Sequence, residues 1–109
     1  MTRAEVKNMI EQIGYPYAYG HFAEGEALEL PYIIFRYPES DNFSADSKVY
    51  LKSDNLDIEL YTSKRDFDTE ADVEAVLDAK GIFYKKNEMY IESEQMYEIL
   101  YEMEMIVMG

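Results

Sequence analysis

The sequence predicts an α+β domain in which a mostly antiparallel β-sheet packs against two main helices. Two stretches repeat apolar residues at helical spacing and end at a glycine, and several segments between and after them are rich in β-formers, one in strict alternation. A length of 109 residues suits one hydrophobic core. Thr2 followed by Glu5 reads as a capping box, and Val6, Met9, Ile10 and Ile13 then mark a helix that Gly14 stops. Residues 15–30 are aromatic and broken by Pro16, Gly20 and Gly25, which predicts a loop with one short extended piece over 17–22. Residues 31–37 read as a strand closed by Pro38, which biases Tyr37 away from the helical region.

Residues 38–47 read as a polar loop whose one large apolar residue is Phe43. Two strands, 48–52 and 56–62, are expected around a turn at Ser53, Asp54 and Asn55, the second with Leu56, Ile58 and Leu60 on one face and Asp57, Glu59 and Tyr61 on the other. Asp66, Asp68 or Thr69 caps the second helix, which carries Val73, Val76 and Leu77 toward the sheet and ends at Gly81. Residues 82–92 are expected to be extended, with Lys86 and Asn87 as the place for a kink and a turn at 93–95. Residues 96–107 fit two templates. Tyr97, Ile99, Tyr101, Met103 and Met105 alternate as in a strand with Leu100 as the exception, while Met96, Ile99, Leu100, Met103 and Val107 also fit a helical stripe. The strand fits with fewer exceptions.

Charge narrows the function classes. Twenty-three acidic residues oppose ten basic ones for a net charge of −13, and residues 70–109 carry −7 of it. Attraction to nucleic-acid backbones or anionic membranes is therefore expected to be weak or repulsive, and a basic-groove nucleic-acid binder is disfavoured. The longest apolar stretches, such as 31–35, fall far short of the roughly 20 residues that cross a bilayer, and residues 1–5 lack a signal peptide's apolar segment, so a soluble, unexported protein is expected. The absence of cysteine excludes disulfides, thiolate zinc sites and cysteine nucleophiles.

Chemical motifs are sparse. His21 is the single histidine and sits in a broken aromatic segment, where packing or hydrogen bonding is the expected role. Asp66, Asp68, Glu70 and Asp72 alternate as in a calcium loop, but Ala71 stands where the sharp turn needs glycine and Leu77 where a bidentate carboxylate is needed. Those acids fit a helix N-terminus better. Asp57 and Glu59 pair on one strand face without a nucleophile or base nearby in the motif sense. No enzyme activity, cofactor or metal is expected. Eleven tyrosines suit both strands and subunit interfaces.

Several stretches together resemble the small tail-assembly proteins of siphophages and prophages of Gram-positive bacteria, the tail terminator or tail-to-head joining group. They are residues 30–34 (LPYII), 40–46 (SDNFSAD), 56–62 (LDIELYT) with Lys64 to Asp66, 81–84 (GIFY) and 90–94 (YIESE), in this order across nearly the whole chain. The resemblance implies a sheet backed by helices, a protein that is monomeric in solution or a hexameric ring on the tail, and a role in ending tail-tube growth and joining tail to head. Its implied partners are further copies of itself, the major tail tube protein and a head-completion or neck protein. Its implied location is the virion tail, and the host cytoplasm during assembly. Within that reading Phe43, Asp41, Asn42 and Asp46 are candidates for an assembly loop, and Asp57, Glu59, Glu98, Glu102 and Glu104 for a ring lumen that repels DNA phosphates. The alternative is an acidic DNA mimic that inhibits a host nucleic-acid-binding protein.

Overall fold

The computed structural model describes residues 1–21, 29–38, 40–45, 48–105 and 107, with side chains for all of these except 40–45, 48–54 and 105. In chain order the elements are α1 (Arg3–Ile13), β1 (Tyr17–Tyr19), β2 (Tyr32–Arg36), β3 (Ser40–Ala45), β4 (Lys48–Thr62), α2 (Phe67–Ala79), β5 (Lys85–Ile91) and β6 (Met96–Met105). The sheet runs β1-β2-β4-β6-β5, and β3 pairs with β4 off this path. Only the β1–β2 pair is parallel. The expected α+β class with a mostly antiparallel sheet is the class observed.

Local chemistry sets both helices. The Thr2 hydroxyl accepts from the Glu5 N–H at 3.1 Å and the Glu5 carboxylate accepts from the Thr2 N–H at 3.2 Å, so the capping box is closed in both directions. Gly14 ends α1 at φ 95°, a left-handed conformation that costs other residues more than glycine. Of the three residues expected to cap α2, Asp66 does so, its side chain accepting from the Thr69 N–H at 3.1 Å. Val6, Met9, Ile10 and Ile13 of α1 and Val73 and Leu77 of α2 are buried with Ile33, Leu56, Ile58, Leu60, Ile99, Tyr101 and Met103 of the sheet. Both helices therefore occupy one face of the sheet, and strand alternation turns every other residue to the opposite face.

Two expectations need correction. Residues 38–47 are not a loop, because 40–45 form β3 and pair with β4. Main-chain hydrogen bonds make that ladder, which needs no apolar alternation, so the polar text concealed it. The turn expected at Ser53, Asp54 and Asn55 does not form either. β4 runs straight through it, with Asp54 facing Ser40 on one side and Met105 on the other, and this double pairing overrides turn-forming side chains. The segment expected to be extended over 82–92 becomes a strand only from Lys85 to Ile91. The ambiguous C-terminal run is a strand, β6, paired along its length with β4.

The fifteen residues of β4 do two jobs. Residues 54–62 pair with β6 and, over 57–61, with β2, whereas residues 48–53 pair with β3 alone among the described residues. β3 and the first half of β4 thus form a two-stranded arm that continues past the helix-backed sheet. The arm is bulged between Phe43 and Ser44. A strand of this length spans about 50 Å at 3.3 Å per residue, which accounts for the molecule's long axis of 50 Å against 31 and 23 Å.

Candidate functional site on the helix-free sheet face

Register brings the five candidate lumen acids onto the helix-free face. Arg36, Asp57, Glu102 and Lys85 lie in one row across β2, β4, β6 and β5, Ile34, Glu59, Leu100 and Asn87 in the next, and Tyr32, Tyr61, Glu98 and Met89 in the third. Asn55 and Glu104 extend the face toward the arm. Because residues two apart share a face, all of these stand opposite the buried Leu56, Ile58, Leu60, Ile99 and Tyr101.

The five acids do not behave alike. Glu59 is only 7 % exposed, and the Arg36 Nε lies 3.0 Å from its Oε2. Arg36 Nη2 also reaches Glu59 Oε1 at 3.4 Å and donates to the Gly20 carbonyl at 3.0 Å. Glu59 is thereby paired with a cation within the face. The Tyr61 hydroxyl lies 2.7 Å from Glu59 Oε1 and 2.9 Å from Glu98 Oε1. A hydroxyl has one hydrogen to donate, so the two carboxyls share it, and Glu59 has Arg36 as a second partner. Burial, opposed by the Tyr61 hydrogen bond and reinforced by the neighbouring Glu59 charge, raises the Glu98 carboxyl above its ordinary value. Burial and then the two carboxylates push the Tyr61 phenol up.

Asp57, Glu102 and Glu104 lie together on the same face. They rim an open groove of about 630 Å³ with Pro38 and Leu100 against its wall and Lys85 at its β5 edge. Asn87 Nδ2 donates to Glu102 Oε1 at 3.2 Å. His21 is exposed and borders a separate shallow groove of about 320 Å³ with Tyr32 and Arg36. Among the described residues no group of acidic or histidine side chains is arranged to hold a metal ion.

The candidate assembly residues lie elsewhere. Asp41, Asn42 and Phe43 are on β3, opposite Ser53, Lys52 and Leu51, so they belong to the arm and not to a loop. Their side chains and the whole of Asp46 lie outside the described residues.

The sequence reading missed a charge network on the helix-covered side. Glu70, expected to serve a helix N-terminus, is 1 % exposed and accepts a bidentate pair from Arg65 at 2.8 and 3.0 Å. Lys86 of β5 reaches Glu70 at 2.8 Å and Glu74 at 2.9 Å, and Glu74 accepts from the buried Tyr101 hydroxyl at 2.8 Å. Burial alone would raise the Glu70 carboxyl, but Arg65 and Lys86 hold it below its ordinary value. Lys86 falls on the core-facing phase of β5, where a lysine needs a buried anion. That phase was the signal available in the text. Comparison with protein-family models gives no match, and comparison with curated proteins gives none of significance.

Proposed function

We propose that this chain is a structural subunit of a phage tail or neck, a tail terminator or tail completion protein that forms a ring, ends tail-tube growth and joins tail to head. The resemblance suggests a hexamer, with the major tail tube protein and a head-completion protein as neighbours. The supporting observation is the division of the sheet. Both helices cover one face, while Asp57, Glu102 and Glu104 stand together on the other, with Glu98 beside them. A ring whose lumen is built from that second face repels DNA phosphates and lets the duplex pass without salt-sensitive sticking. The arm of β3 and β4 reaches past the sheet and offers a neighbour main-chain edges and the segment around Phe43. In this reading the protein performs no catalysis and uses no cofactor.

The test is tail length. Deleting the gene from its prophage is expected to give overlong or headless tails by electron microscopy, and the wild-type copy is expected to restore uniform joined tails. A copy carrying Phe43→Ser is expected to fold with an unchanged thermal midpoint and to fail in restoration. Normal virions from the deletion would overturn the proposal. Recovery of a host nuclease or repressor on the purified chain, lost on neutralising Asp57 and Glu102, would replace it with the DNA-mimic reading.

A further inference from the structure

Residues 80–86 (KGIFYKK) carry three lysines and no acid in a chain of net charge −13. Alternation governs their side chains. Ile82 and Tyr84 pack against the core, the Tyr84 ring meeting Tyr101 edge-on at 5.4 Å, so the intervening Phe83 is turned outward and is 95 % exposed. Lys86 is held by Glu70 and Glu74, whereas Lys80 and Lys85 are exposed and make no ion pair among the described residues. The result is an exposed aromatic knob that follows Lys80, with Lys85 beyond it on the helix-free face. β5, which follows it, is the outer strand at that end of the sheet and is exposed along nearly its whole length.

The complement of this knob is on the same chain. The groove on the helix-free face has Leu100 and Pro38 for an apolar wall, Asp57, Glu102 and Glu104 for an anionic rim and Lys85 at its β5 edge, so its lining is net anionic. Its 630 Å³ is ample for a phenyl ring. Phe83 does not occupy its own chain's groove, because it is almost fully in solvent. Knob and groove adjoin on each subunit at Lys85, and a second copy presents Phe83 and Lys80 to a groove whose rim is net anionic.

We propose that Phe83, with Lys80 at the end of the preceding helix, docks into the groove of a second copy of this chain. The proposal rests on the self-assembly part of the functional reading and names its contact. Opposite charges steer the encounter, and the apolar wall desolvates the ring once it is seated.

The absence of cysteine makes the contact testable by disulfide trapping between two single-cysteine variants. Ala79→Cys places a thiol beside the knob without touching its lysines, and Glu104→Cys places one on the groove rim. Mixed under an oxidising glutathione buffer, the two are expected to form a disulfide between positions 79 and 104 about tenfold faster than the same pair carrying Phe83→Ser in the Ala79→Cys chain, and 0.5 M salt is expected to slow it. Since Phe83 contributes almost nothing to the core, its replacement is expected to leave the circular dichroism spectrum and thermal midpoint unchanged. An equal cross-linking rate with and without Phe83, at an unchanged midpoint, would overturn the proposal. The tail-length phenotype reports on the ring reading separately, so a subunit that still ends tails after losing this cross-link would sink the contact and spare the function.

Discussion

Glu98 shows how a sheet face biases one proton equilibrium. Its carboxyl shares the Tyr61 hydroxyl with Glu59, and burial beside that second carboxyl shifts it toward the neutral form. A carboxyl whose folded value is raised stabilises the fold fully below its ordinary value near 4.5, and that contribution is lost as pH rises through the raised value. Glu70 and Asp66 have the opposite sign. Both are held below their ordinary values, Glu70 by Arg65 and Lys86 against burial and Asp66 by its bonds to Thr69, so their contribution is present at neutral pH and lost on acidification. The substitution Glu98→Gln makes the neutral state permanent. Thermal unfolding followed by circular dichroism from pH 4 to 8 is expected to show the variant and wild type converging at low pH and the variant higher by about 2–5 °C at pH 7.5. A constant difference across the range would show that Glu98 does not change protonation there.

At the scale of elements, α2 is fixed to the sheet by charge as well as by Val73 and Leu77. Glu70 receives Arg65 from the segment before its own helix and Lys86 from β5, and removing it takes away the buried anion they share, leaving Arg65 to Glu88 and Lys86 to Glu74. Glu70→Ala is expected to cost about 3 kcal/mol, a fall of roughly 10–20 °C in the midpoint of a domain this size, measured by denaturant and thermal melts. Glu70→Gln, which keeps a hydrogen-bonding side chain, is expected to cost less. This network also marks the limit of what the text disclosed. The caps at Thr2 and Asp66, the stripes of both helices and the inward phase of Leu56, Ile58 and Leu60 were legible because each depends on residues close in sequence. β3 was not, since its ladder is made by the main chain of a distant segment, and neither was the continuity of β4 through Asp54, which two flanking strands impose. The five acids could be assigned to strand faces from alternation alone. That Arg36 pairs with Glu59 and that Tyr61 bridges two carboxyls follow from register between β2, β4 and β6, which no local pattern encodes.

For the whole molecule, the governing quantity is an acidic excess spread unevenly over a two-sided sheet. Asp57, Glu59, Glu98, Glu102 and Glu104 share the helix-free face, and Lys85 and Arg36 offset their charge only in part. The remaining acids, those on α2 and the turn at 92–95 among them, add to a net charge of −13. Repulsion from duplex DNA should therefore strengthen as salt is removed, because the screening length grows from about 8 Å at physiological ionic strength to roughly 30 Å at 0.01 M. A protein that bound phosphates would do the reverse, gaining affinity steeply as salt falls. Fluorescence anisotropy with a labelled duplex is expected to show no binding of the wild-type chain at either salt. Replacing Asp57, Glu102 and Glu104 by lysine changes the net charge by six, to −7, and leaves the chain acidic overall while making this one face basic. That variant is expected to gain weak binding at 0.01 M salt that disappears at 0.15 M, which would assign the repulsion to the face itself. Binding by the wild type that tightens at low salt would remove the physical basis for a DNA-conducting lumen.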